Sequence, residues 1–179
     1  MATVINGWRI LFHPVFAERF GALREEAERL KGSLPEDQYR QHPTAKLLAG
    51  VARLIQQQVP ANPNAPDFQL TGDLAKFRRA KGRGLPPRYR LFWVFSSEHK
   101  VIIFLYLHAE GVLRREGDKH DVYAVFERLV RRGEISPDFA AAYQRFQTAR
   151  HHTLTGATDV PAGLRREAGE ASDPATDLP

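Results

Sequence analysis

Between Lys76 and Arg90 the chain carries seven basic residues, Lys76, Arg78, Arg79, Lys81, Arg83, Arg88 and Arg90, and no acidic one. Phe77, Leu85 and Tyr89 interleave with them, and the segment runs into the most strand-like stretch of the sequence. Cations held on a sheet are positioned in advance around a phosphate, and a planar guanidinium contacts two of its oxygens at once. The alternative is a strand edge guarded by charge against pairing with another chain. Seven cations with no counter-charge within the segment exceed what edge protection requires. Arg90 is the most informative of them. It alternates with Phe92 and Val94, so it shares a face with apolar side chains, where a charge without a partner is costly. Either a buried counter-ion or a substrate phosphate could supply that partner.

The charge of the whole chain points the same way. The first 150 residues hold 24 basic and 16 acidic side chains, a net +8, whereas residues 151–179 carry −3. A positive field of this size favours polyanions such as nucleic acid and speeds their encounter, although a solvated basic surface is the plainer reading. The absence of cysteine rules out disulfides, thiolate catalysis and cysteine-based zinc sites. No apolar run approaches the roughly eighteen residues of a membrane span. The N-terminal residues lack the pattern of a signal peptide. A cytoplasmic protein with no membrane association is expected.

Positioning these residues requires a scaffold, and the periodicity outlines one. Phe16, Phe20, Leu23, Ala27 and Leu30 recur at helical spacing and predict an amphipathic helix from Pro14 to Lys31, stopped by Gly32. Ser33-Leu34-Pro35-Glu36 reads as a capping box for a second helix, interrupted or restarted near Pro43, with Leu47, Leu48, Val51, Leu54 and Ile55 as its apolar stripe. Residues 59–66 read as a loop. The period then becomes alternating. Lys76–Lys81, Tyr89–Phe95 and Val101–Leu107 read as strands, the last apolar on both faces and so central. Helices follow from Asp121 to Arg132 and from Ser136 to Arg150. The expected fold is α+β: two N-terminal helices, a small antiparallel β-sheet and C-terminal helices in one domain over residues 1–150. Residues 151–179, poor in groups to bury, are expected to form a disordered acidic tail.

Several segments in this order resemble the YhaV toxins of type II toxin–antitoxin systems, within the RelE/ParE superfamily. They are Asn6-Gly7-Trp8, His13-Pro14, Thr44–Ala49, Arg88-Tyr89-Arg90-Leu91-Phe92, Lys100–Ile103, Leu113-Arg114 and Asp121–Phe126. The Gly82–Pro87 connection departs from the family pattern, and the acidic tail lies outside the match. The resemblance implies a RelE-like fold and an endoribonuclease (mRNA interferase) that cleaves mRNA, often at the ribosome. It also implies restraint by a cognate antitoxin of the PrlF (SohA) kind. Cleavage in such enzymes is metal-independent: the ribose 2′-OH attacks the adjacent phosphate, and no cofactor is needed. Mapped onto this chain, the matching catalytic residues are Arg79, Lys81 and Arg90 on the sheet and Tyr123 on a helix, with Lys119 nearby.

In that scheme Arg90 and Arg79 stabilise the charge of the phosphorane, while Lys81 or Tyr123 accepts the 2′-OH proton and another of the group protonates the leaving oxygen. Tyrosine and lysine have high ordinary pKa values, so either needs a cationic neighbourhood to act as a base. Lys76, Arg78, Arg83, Arg88, Arg114 and Lys119 are expected to hold the RNA backbone. Each residue also has a plainer role. Tyr123 can be a core residue beside Phe126, Asp121 a helix cap, His13 structural, Arg115 solvated, and His151-His152 chain end rather than half a zinc site. The competing functions are a non-catalytic RNA- or ribosome-binding module and a gyrase poison of the ParE type.

Overall fold

The computed structural model describes residues 3–87, 89–108, 122–136 and 138–144. An unbroken apolar run from Val101 to Leu107 is the pattern of a strand covered on both faces, and all eight residues of the strand Val101–His108 are buried. It is β5, the centre of a five-stranded sheet of order β1-β2-β5-β4-β3, with β1 at Val4–Ile5, β2 at Trp8–Phe12, β3 at Arg78–Ala80 and β4 at Arg90–Ser96. β3 is shorter than the expected Lys76–Lys81.

The expectation of an antiparallel sheet needs correction. β4 pairs antiparallel with β3 and β5, but β2 pairs with β5 in parallel, Arg9 to Phe12 against Val101 to Phe104. Asn6 and Gly7, at φ 49° and 77°, make a tight hairpin turn that folds β1 onto β2. All the helices before β3 then lie between β2 and its neighbour β5, giving the long crossover that a parallel pair needs.

Where two N-terminal helices were expected, that crossover opens with α1 (Pro14–Ser33), α2 (Glu36–Gln41) and α3 (Pro43–Arg53). α3 continues through a π-helical turn at Leu54–Gln58 into a short α4 (Val59–Ala61), so the expected loop begins with a helical turn. Two histidines open helices, with Pro14 and Pro43 next in line. His13 Nδ1 accepts a hydrogen bond from the Val15 N–H, and His42 Nδ1 accepts one from Thr44, which breaks the helix at Pro43. The capping box does not form. α1 runs past Gly32 to Ser33, whose hydroxyl donates back to the Leu30 carbonyl, and Pro35 precedes α2 without a side-chain cap.

The sheet separates two cores. On one face α1, α3 and the π-helical turn pack Phe16, Phe20, Leu47, Leu48, Val51 and Ile55 against Trp93, Ile102 and Phe104. On the other, α5 (Val122–Arg131) lays Val125 and Phe126 on Phe92, Val94, Ile103 and Tyr106, joined by Ile135 and by Ala142 from a helical segment at residues 139–144. No helix among the described residues is long and apolar enough to cross a membrane.

An irregularity in this sheet decides which residues meet. Phe92 pairs with Tyr106 but Trp93 pairs with Phe104, leaving Leu105 as an extra residue in β5. Such a bulge shifts the alternation by one. Val101, Ile103 and Leu105 face the α5 side, and so does Tyr106, while Leu107 turns to the α1 side.

Candidate active site

The site forms at the end of the α5-side face where β4 begins and β5 ends. The register sets two rows across the strands. One is Arg79, Phe92 and Tyr106; the next is Arg90 and His108. Carrying the β3–β4 register one residue beyond its last pair, Ala80 with Leu91, sets Lys81 beside Arg90. Phe126 anchors the helix above, stacked on Phe92 with ring centroids 4.1 Å apart and edge-on to Phe77 at 4.8 Å. Tyr123, about one helical turn earlier, therefore projects over this end of the sheet, edge-to-face with Phe92 at 6.2 Å.

Arg79 and Arg90 are unusual in how few partners they find among the described residues. Arg79 is only 8% exposed, yet its Nε and Nη1 find no hydrogen-bond partner among the described residues. Its guanidinium carbon lies 6.0 Å from the centroid of the Tyr123 ring. Arg90 is half-buried; its Nη1 donates to the Tyr89 carbonyl at 2.7 Å, while its Nε is buried without a partner among the described residues. Desolvated guanidinium groups with unspent donors are unfavourable by themselves and favourable around an anion. Lys81 is exposed at the rim.

The other cations of the cluster are placed differently. Arg83 is held by Asp67, its Nε donating to Oδ2 at 2.9 Å, and its guanidinium lies over the Phe68 ring. The hydrogen bond from Arg83 keeps the Asp67 carboxyl below the usual carboxylate range. The counter-charge absent from residues 76–90 thus comes from the preceding loop. Arg78 donates to the Asn64 side chain at 2.8 Å and to the carbonyls of Ala75 and Phe77, and burial pulls its guanidinium below its ordinary pKa. Both arginines pin the loop ahead of β3. Lys76 is exposed in the turn before it. Arg88, Arg114, Arg115, Lys119, Asp121, His151-His152 and the acidic tail lie outside the described residues. His13 is buried at the start of α1, as its apolar setting suggested. Among the described residues no three His, Asp or Glu side chains converge in a way that could hold a metal ion.

The structure adds two residues that sequence reasoning missed. His108, 1% exposed, is the cross-strand neighbour of Arg90, and its Nδ1 lies 3.5 Å from the Tyr106 hydroxyl. The Tyr106 ring in turn carries the Arg19 guanidinium of α1 at 4.7 Å. The available signal was a polar residue closing an otherwise apolar strand. Strict alternation from Val101 would have set it on the opposite face; the bulge at Leu105 brings it to this one.

Residues 10–147 match a family described as a toxin with endonuclease activity, of a toxin–antitoxin system. The chain belongs to the YhaV toxin family. It is 38% identical over 141 residues to the ribonuclease toxin YhaV of Escherichia coli strain K12, a match covering 75% of this chain and 89% of the relative. It is also 38% identical over 146 residues to the toxin YhaV of Escherichia coli O6:H1, covering 78% and 92%. No solved structure matches it. Membership of the YhaV family makes the chain the toxin of a toxin–antitoxin system, with endonuclease activity, and implies an antitoxin as its partner.

Proposed function

We propose that this YhaV-family toxin is an endoribonuclease that cleaves mRNA without a metal ion. The observation that carries the reading is the pair Arg79, buried, and Arg90, half-buried, whose Nε atoms have no hydrogen-bond partner among the described residues; both lie on one end of one sheet face, with Arg79 beside Tyr123. The relative named a ribonuclease toxin supports RNA as the substrate. So does the +8 charge of residues 1–150.

In the proposed step the ribose 2′-oxygen attacks the adjacent phosphorus and the bond from phosphorus to the 5′-oxygen breaks. The products are a 2′,3′-cyclic phosphate and a 5′-hydroxyl. Lys81 or Tyr123 takes the 2′-OH proton, and the other returns a proton to the leaving oxygen. Arg79 and Arg90 stabilise the doubly charged phosphorane, a contribution of about 10²–10³-fold for one well-placed donor. Exposed Lys76, together with Arg88, Arg114 and Lys119, holds the flanking backbone. A RelE-like fold, action at the ribosome in the cytoplasm, and a PrlF-type antitoxin with an acidic segment over the basic domain complete the proposal.

Purified toxin incubated with fluorogenic RNA in excess EDTA tests it. The expected result is turnover yielding cyclic-phosphate ends, lost in Arg90→Ala. Tight RNA binding with no turnover, with or without added divalent ions, would make the chain a binding module instead.

A further inference from the structure

We infer that Arg19 of α1 is an RNA-binding residue of the cleavage site, taking a phosphate that flanks the scissile one. The inference rests on the endoribonuclease reading and deepens it. Ring contacts place Arg19 on the same sheet face as Arg79. Its guanidinium carbon lies 4.7 Å from the centroid of the Tyr106 ring. Tyr106 is 6.1 Å from Phe92, Phe92 is 6.2 Å from Tyr123, and Tyr123 is 6.0 Å from the Arg79 guanidinium. A row of aromatic rings thus carries an arginine at each end. The topology explains how a helix so far from the basic cluster in sequence comes to contribute. β2 runs parallel to β5 and ends with Phe12 opposite Phe104, so α1 starts near the end of the sheet where β5 finishes. The bulge at Leu105 then turns Tyr106 to the face of the site, against Arg19.

Arg19 is half-buried, and among the described residues its guanidinium makes no hydrogen bond or ion pair. α1 carries the glutamates Glu18, Glu25, Glu26 and Glu28, yet none is three or four residues from Arg19, the spacing at which helical side chains meet. Those positions hold Val15, Phe16, Ala22 and Leu23. The first turn of α1 has no acidic residue either. Covering the Tyr106 ring requires no charge, since methionine would do so without taking a guanidinium out of water. A cation placed in this way, its donors unpaired among the described residues, suits an anion that arrives with the substrate. With Arg79 and Arg90 of the same face at the scissile phosphate, that anion is another phosphate of the same RNA strand. Tyr106 sits two strands from Arg79, about 10 Å at the usual spacing, so Arg19 takes a neighbouring phosphate.

The test compares R19M and R19Q in the full chain with R29M, which removes the same charge from an exposed position of α1 that pairs with Glu26. Thermal unfolding is measured for each, with Kd across a salt series for an RNA carrying a 2′-deoxy block at the cleaved position. Wild type and a folded Arg19 variant are also measured on blocked RNAs in which a neutral methylphosphonate replaces one flanking phosphate at a time. The expected result is that R19M or R19Q folds and binds about tenfold more weakly. Its slope of log Kd against log salt should fall by about 0.7, the loss of one phosphate contact on a single strand, while R29M stays near wild type. One methylphosphonate should weaken binding by the wild type and leave that of the Arg19 variant unchanged. The inference is overturned if a folded Arg19 variant binds like wild type, or if R29M weakens binding as much, which would make the effect one of overall charge. It is also overturned if every methylphosphonate affects wild type and variant equally, or if neither Arg19 variant folds, which would leave Arg19 a cover for Tyr106. Arg90→Ala in the cleavage assay separates the two levels: unchanged cleavage there sinks the reading of the site itself.

Discussion

Replacing Arg79 by methionine should make this toxin more stable and nearly inactive. Arg79 is 8% exposed, with Nε and Nη1 unsatisfied among the described residues. A buried donor left without a partner costs about 1–3 kcal/mol. Methionine keeps the unbranched apolar stem beside Phe92 and removes the donors. It forfeits the contact with the Tyr123 ring, which at 6.0 Å is at the outer limit of such interactions and is worth about 0.5–1 kcal/mol. The difference is a gain of about 1 kcal/mol, or about 2–4 °C in Tm for a domain of this size. Cleavage should fall about 10²–10³-fold. Urea unfolding and thermal melts give the stability, and a metal-free cleavage assay gives the rate. Titration with inorganic sulfate adds an internal check, because an anion that fills the site at a hundred times its Kd stabilises the native state by about 2.7 kcal/mol. The wild type should respond and Arg79→Met should respond much less. A variant less stable than wild type by more than about 1 kcal/mol would refute the reasoning, since the arginine would then be satisfied within the fold.

Other perturbations probe the supports of the site. Gly50→Ala should destabilise by about 1–3 kcal/mol, because its Cβ would meet the Gly84 backbone carbon at 2.8 Å and its carbonyl oxygen closer still; equal urea midpoints would contradict this. Phe126→Ala should cost about 3–5 kcal/mol through the loss of its stacking on Phe92, and cleavage should fall further than Tm alone accounts for as Tyr123 loses its anchor. Asp67→Asn tests a surface ion pair with a defined pH signature. The Asp67 carboxyl is held below its ordinary pKa by Arg83, so its contribution is present above the normal carboxylate range and fades as pH falls through the lowered value. The stability difference between wild type and Asp67→Asn should therefore be larger at neutral pH than in acid below the ordinary carboxylate range, and a difference that grows in acid would exclude the pairing.

Much of the scaffold was legible because burial leaves a period in the sequence. The stripe Leu47, Leu48, Val51, Leu54 and Ile55 is buried as expected, and Val101–Leu107 is the central strand that its apolar run implied. The break at Pro43 follows from its missing N–H. Asn6-Gly7 carries a hairpin signal that does not stand out locally, because β1 is only two residues long. Local reading failed where a residue had two roles to choose from, as Ser33 did between ending α1 and capping α2.

The sequence by itself determined that seven cations fall within residues 76–90, that Arg90 shares a face with Phe92 and Val94, and that the chain resembles a toxin family. These are facts of composition and period, which need no partner across the fold. Tertiary structure alone decided which cations are engaged elsewhere and which have donors without a partner among the described residues. Asp67 claims Arg83 and Asn64 holds Arg78, both from the loop that precedes β3, while Arg79 and Arg90 lie on the face that carries α5. It alone brought His108 to Arg90 as well. One extra residue in β5 reverses the alternation on which any reading along a single strand depends, and a bulge is defined only by the strand paired against it.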